Sequence, residues 1–256
     1  MQANTTTPAK LLNVDANPKT IKNHKHGYLT AVLYLAPADL ASTLERPINV
    51  CPMAELAQCK DPCLNKAGRG VFDTTQQARI RKTKYLFDNP DAFMAQLAKE
   101  IAALERRAEK LGLKPLVRLN GTSDIKWENV QFEYEFIHNK VRKVTLFQLF
   151  PDVQFYDYTK LPNRKTPANY DLTFSHSGVP AFQKQTNRAI FRGMRVAVVF
   201  ESKSLVQDKM RSGFLGLPVV DGDDTDVRHI DPQESVVALY AKGRAKRDMS
   251  GFVIRT

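Results

Sequence analysis

Three segments of this chain are apolar almost without a break: "YLTAVLYLAPA" (28–38), "RVAVVFE" (195–201) and "SVVALYA" (235–241). A half-exposed antiparallel strand alternates apolar and polar residues, whereas a strand covered on both faces reads as a continuous apolar run. These segments therefore predict strands of a parallel sheet buried under helices. Further strands are predicted at "KPLVRLNGTSDI" (114–125), "VQFYDYT" (153–159), "YDLTFS" (170–175) and "PVVDGD" (218–223). Between them the chain repeats strand, polar loop, helix. About six such units fit the length. The expected fold is α/β: a partial (β/α)6-type or full β/α barrel, with an open doubly wound sheet as second choice.

The helices carry their own start and stop signals. "DTTQQARIRKTKYLF" (73–87) has Asp73 or Thr74 as N-cap. A longer helix begins at "DNPDAF", where Asn89 can cap and Pro90 suits the first helical position. Phe93, Leu97, Ile101, Leu104, Ala108 and Leu111 then recur every three or four residues, and Gly112 ends the run. That stripe is core packing and carries no function. "PAFQKQTNRAIFRG" (180–193) is another helix. "QFEYEFIHNKVRKVTLF" (131–147) reads as a hairpin turning at His138-Asn139, or as a strand followed by a helix ending at Pro151. The organisation expected is a flexible arm over 1–17 and one domain over 18–256. That domain contains a cysteine-rich loop at 47–70 and a hairpin insertion at 130–147.

A chain of 256 residues buries a full core without disulfides. No stretch approaches the roughly 20 apolar residues of a membrane span, and "MQANTTTPAK" lacks a signal-peptide core. The expectation is a protein of the bacterial host cytoplasm with no membrane partner. The net charge is +11. Basic runs at 18–28, 78–85 and 241–248 point to a polyanionic partner, a nucleic acid or nucleotide, against the alternative of a plain solvated basic surface. Lys19, Lys22, Lys25, Arg69, Arg79, Arg81, Lys82 and Lys84 are the candidate anion-binding residues.

All three cysteines, Cys51, Cys59 and Cys63, fall in "CPMAELAQCKDPCLNKAGRG". A reducing compartment disfavours disulfides, and thiolates are strong ligands for zinc and iron–sulfur clusters. The spacing C-x7-C-x3-C lacks the C-x2-C pairs of zinc ribbons. Three thiolates on a [4Fe–4S] cluster would leave one iron open. Zinc with a fourth ligand (His24, His26 or Asp61), or free thiols that behave as small apolar groups, are the alternatives.

In parallel α/β folds, ligands meet the loops at the C-terminal strand ends. Asn120, Asp124, Asp157 and Lys160 collect at those predicted ends and are the candidate catalytic residues. "AGRG" is a weak phosphate-cradle signal, better explained by a tight turn. The aspartates of "DGDDTDVRHID" (221–231) suit either a divalent cation, and with it a metal-dependent nuclease, or a polar turn, and the turn is preferred. His176 and His229 have no nucleophile beside them in sequence.

The order apolar strand, three-cysteine loop, helix, strand resembles the radical SAM superfamily. That resemblance implies a [4Fe–4S] cluster and S-adenosylmethionine as cofactors. The chain departs from the usual C-x3-C-x2-C spacing and has "NGTSDI" where those enzymes carry Gly-Gly-Glu. The segments "NPKTIKN", "CPMAELAQCKDPCLNKAGRG", "ARIRKTKYLF", "RLNGTSDI", "FPDVQFYDYTK", "NYDLTF", "VAVVF", "DGDDTDVRHIDP" and "AKGRAKRDMSGFV" resemble a phage-encoded family of the gene product 88 type. It implies a phage or prophage origin and no particular reaction. Two functional classes remain. One is an iron–sulfur enzyme acting on a nucleic acid, nucleotide or other anion. The other is a nucleic-acid-binding phage protein of replication or host takeover, with zinc or no metal.

Overall fold

A computed structural model describes residues 7–136 and 140–256. Eight strands form one sheet: β1 (Leu12–Val14), β2 (Tyr28–Leu33), β3 (Lys114–Arg118), β6 (Gln154–Thr159), β7 (Tyr170–Ser175), β8 (Val196–Phe200), β9 (Val219–Asp221) and β10 (Val236–Tyr240). Their order is β1-β2-β3-β6-β7-β8-β10-β9. Only β1 runs antiparallel to its neighbour. β4 (Phe132–Phe136) and β5 (Lys140–Val144) form a separate antiparallel pair. The helices are α1 (Pro18–Lys22), α2 (Asp73–Asp88), α3 (Pro90–Lys110), α4 (Leu146–Leu149), α5 (Gln183–Phe191) and α6 (Lys203–Ser212). None is long and apolar enough to cross a membrane.

The α/β class and the parallel sheet agree with the apolar runs. Helices α2, α3, α5 and α6 pack on one face, while Asn23 at the end of α1 donates to Thr30 Oγ1 on the other. On β7, Tyr170 packs into the cluster built around α3, and Phe174 into the cluster that holds Phe182, Ala189 and Val206 of the α5 and α6 region. The two residues lie four apart on one strand, so they share a face. A doubly wound sheet reverses its strand order near its centre, whereas this order runs on from β1 to β8 without reversal.

The sheet also curls. Eight flat strands would hold the outer two about 34 Å apart. Yet Lys19 of α1 donates through Nζ to the carbonyl of Gly222 at 2.9 Å and pairs with Asp223 at 2.7 Å, just beyond β9. No ladder joins β9 to β1 among the described residues, so the curl does not close into a full barrel. The segment 222–231 folds back onto the face opposite α3. There Val227 packs with Leu116, Tyr156 and Tyr28.

Within the expected arm, Leu11 and Leu12 are buried, and β1 pairs with β2. Residues 1–6 and the His138-Asn139 turn lie outside the described residues. The second half of 131–147 resolves both readings, since β5 is followed by α4 just before Pro151. Thr145 caps α4, accepting from the Gln148 N–H. The predicted Asp73 cap is not made; Phe72 precedes α2 with no side-chain bond. Gly112, at φ +65°, turns the chain off α3.

Candidate active site

The C-terminal ends of the strands surround a cavity of about 2120 Å³. The loop after β2 brings all three thiols to its wall. Cys51, Cys59 and Cys63 are each partly buried and unoxidised. Cys51 Sγ donates to the Thr122 carbonyl at 3.6 Å, and Cys63 Sγ accepts from the Asn65 N–H at 3.5 Å. Burial raises all three thiols, Cys51 to about 12. Lys160, at the end of β6, feels all three of them electrostatically. Among the described residues, no group of three or more His, Cys, Asp or Glu is arranged to hold a metal ion. What the cavity does bring together is three thiols and the Lys160 ammonium, which interacts with each of them.

The other residues expected at the strand ends are buried and saturated. Asn120 is 2% exposed. Its Oδ1 accepts from Ser123 Oγ at 2.8 Å, the Ile125 N–H at 2.9 Å and Trp127 Nε1 at 3.1 Å. Asp157 accepts from the Asn120 N–H and from Tyr170 Oη, each at 2.7 Å. Burial pushes its carboxyl up to about 7 against these donors and against Arg118 and Arg164. Asp124 accepts from Thr159 Oγ1 and the Lys160 N–H, and pairs with Arg164. Lys160 Nζ donates to the Ser175 carbonyl at 2.9 Å, to Ser175 Oγ at 3.2 Å and to the His176 carbonyl at 3.3 Å. Of these four, Asp157 does not line the cavity; Asn120, Asp124 and Lys160 do.

The cationic candidates divide. Arg79 and Lys82 lie three apart on α2, so they share a side, and both are buried on the cavity wall. Arg81 is exposed and Lys84 half-buried, and neither lines the cavity. Lys19 and the exposed Lys22 and Arg69 are at the cavity, and Lys25 faces solvent. Gly70 lets the chain close over Arg79: a Cβ there would sit 2.5 Å from the Asn65 carbonyl oxygen.

The aspartate run is a set of ion pairs rather than a cation site. Asp223 binds Lys19 and Lys242, and Asp224 faces Lys22. Asp226 meets Arg118 and accepts from Tyr156 Oη at 2.7 Å, while Asp231 pairs with Arg228. His176 is buried against Thr186 Oγ1. His229 meets Tyr28 Oη at 3.0 Å. Arg118 lies over the Tyr158 ring at 4.6 Å, and sequence reasoning missed Tyr34, whose ring lies 4.9 Å from Arg79. Their inward placement follows from strand alternation: Arg118 sits one residue from the buried Val117, on the opposite face.

A curled, mostly parallel α/β sheet with a thiol-bearing, cationic cavity at its C-terminal edge defines the class of this protein. Residues 10–256 match the family model described as gene product 88, and the chain belongs to that family of phage gene products. No curated protein and no solved structure matches it.

Proposed function

We propose that this is a phage-encoded iron–sulfur enzyme, radical SAM-like in build, that acts in the host cytoplasm on a nucleic acid, nucleotide or other anionic substrate. One observation carries the reading: Cys51, Cys59 and Cys63 all reach one large cavity at the C-terminal strand ends, where Lys160 interacts with each of them. These thiols would hold the cluster. Bound there, it would supply one-electron chemistry, with S-adenosylmethionine as the proposed cofactor. The protein's own residues do the rest. Burial disfavours bare thiolates, and the Lys160 ammonium offsets that cost. The Asp124 carboxylate fixes the backbone of Lys160, and its own N–H donates to the Val50 carbonyl at 2.7 Å, beside Cys51. The cationic wall favours a negatively charged substrate.

Anaerobic purification with reconstitution tests this. A brown protein absorbing near 400 nm, with iron and sulfide that are lost on any one Cys→Ala change, is the expected result. A colourless protein without iron sinks the proposal.

The exposed Lys25 and Arg81, outside the cavity, support a second reading. In it the protein binds nucleic acid on its surface, and the cysteines hold zinc or no metal. A mobility-shift assay at rising salt tests it, because phosphate contacts release counterions. No shift at low salt defeats it.

A further inference from the structure

Four arginines with buried side chains have a carboxylate within ion-pair distance. Arg118 has Asp226, Arg164 has Glu128, Arg195 has Asp171 and Arg228 has Asp231. Arg79, Lys82 and Lys160, 8%, 7% and 8% exposed, have none among the described residues, and of these Lys160 faces the three thiols while Arg79 and Lys82 lie together on α2. The Arg79 guanidinium is held by Asn65 Oδ1 and by the Tyr34 ring, both neutral. Its Nε is buried without a partner. Lys82 Nζ donates to the Leu11 carbonyl at 2.7 Å and to Asn13 Oδ1 at 3.1 Å, again both neutral. Glu100 attracts Lys82 from a distance. Its oxygens are taken by the N–H groups of Leu11 and Leu12 at 2.7–3.0 Å.

A buried charge without a counter-charge is costly, and removing one partner of a pair shows how much. Two such charges side by side, on a wall that opens into the cavity, call for an anion that the folded chain does not supply. The thiols do not meet the need. Among the described residues, no thiol is a hydrogen-bond partner of Arg79 or Lys82.

We infer that Arg79 and Lys82 form a subsite for a phosphate group carried by a small ligand inside the cavity. Arg69, exposed on the same wall, guards its approach. A planar guanidinium beside a point-charge ammonium suits a tetrahedral oxyanion. The inference rests on the cavity being a ligand site, as proposed above, and not on the cluster. It also separates an interior ligand from a polymer lying on the surface cations.

The test is isothermal titration calorimetry of the full chain at low salt, with pyrophosphate and with a nucleoside triphosphate. Both are expected to bind. Arg79→Gln and Lys82→Gln each weaken binding about 10-fold, while Lys184→Gln, exposed on α5 and outside the cavity, leaves it unchanged. Arg79→Lys, which keeps the charge, binds between wild type and Arg79→Gln. Melting curves show that the variants are folded. A triphosphate that binds tighter than pyrophosphate assigns the phosphate to a nucleotide, and equal affinity assigns a free oxyanion. Absence of binding by both probes overturns the subsite, as does a folded Arg79→Gln that binds like wild type. Iron is measured on the same samples. Phosphate binding without iron removes the cluster alone, and iron without phosphate binding removes the subsite alone.

Discussion

Replacing Asn120 by Ala should cost the protein much of its stability. The side chain is buried, and its Oδ1 alone serves Ser123 Oγ, the Ile125 N–H and Trp127 Nε1 at 2.8–3.1 Å. Its Nδ2 donates to the Ile125 carbonyl at 2.9 Å and to Asp157 Oδ2 at 3.2 Å. Alanine leaves these groups in place and removes what they bind. The Ser123 hydroxyl can rotate to another acceptor. The Ile125 amide and the Trp127 indole cannot. A stranded buried donor costs roughly 1–3 kcal/mol, so two cost about 4 kcal/mol. A domain of this size loses about 2–4 °C per kcal/mol, which gives a fall in Tm of about 8–16 °C. Thermal unfolding followed by circular dichroism, with urea titration alongside, measures it. The loop held by Asn120 also carries the Thr122 carbonyl and Asp124 N–H that bind the Cys51 segment. Loosening should therefore reach the thiols, and they should react faster with a soluble disulfide reagent. An Asn120→Ala protein that melts within about 2 °C of wild type would refute the hub, since even one stranded donor costs more than that.

Other outcomes follow from the same packing. His176 is buried, and that burial together with Lys160 holds its imidazole down at about 4. The unfolded chain takes the proton first, so stability is complete above about pH 6.5 and is lost as pH falls toward 4, by roughly 3 kcal/mol. Asp157, raised to about 7, acts oppositely; comparing urea midpoints of wild type and His176→Gln at pH 7 and 4.5 isolates the histidine, and equal pH losses would contradict its burial. Gly121→Ala would place a Cβ 2.7 Å from the Leu33 carbonyl oxygen and 2.7 Å from Tyr34 Cδ1. It should destabilise by about 1–3 kcal/mol in denaturant titration, and an unchanged midpoint would show that the β2–β3 contact has room. Trp127→Phe keeps the stacking on Phe93, whose ring lies 6.4 Å away, and removes one donor to Asn120. A loss of about 1 kcal/mol is expected, well below that of Asn120→Ala; a loss as large would place the hub's energy in the indole instead.

The apolar runs made the parallel sheet legible because burial on both faces leaves no polar alternation to mislead. The strand ends were legible for the same reason, and so was the arrival of three thiols at them. The expected barrel implied a curved sheet, but the contact that holds its ends was not legible, because Lys19 meets Asp223 across about 200 residues of sequence and no local pattern encodes that meeting. The basic run 78–85 looked like one phosphate-contacting face until helical geometry divided it, with Arg79 and Lys82 inward and Arg81 outward. β1 escaped notice because three residues are too few to show a period. α6 was equally hidden: its buried contribution is Val206 alone, so no stripe announces it.

The segment 222–231 has a consequence for the order in which the protein can assemble. It supplies Asp226 to Arg118, Tyr156 and Tyr158, and the Asp226 N–H donates to Asn23 Oδ1 at 3.0 Å. On a ribosome this stretch emerges after seven of the eight sheet strands, which can already form a template. Until it arrives, the Arg118 guanidinium and two tyrosine hydroxyls have no carboxylate between them, and the seam beside α1 stands open. Contacts so distant in sequence form late. The hollow is thus lined first and floored last, and a nascent chain halted before Gly222 would present it as an unlatched trough.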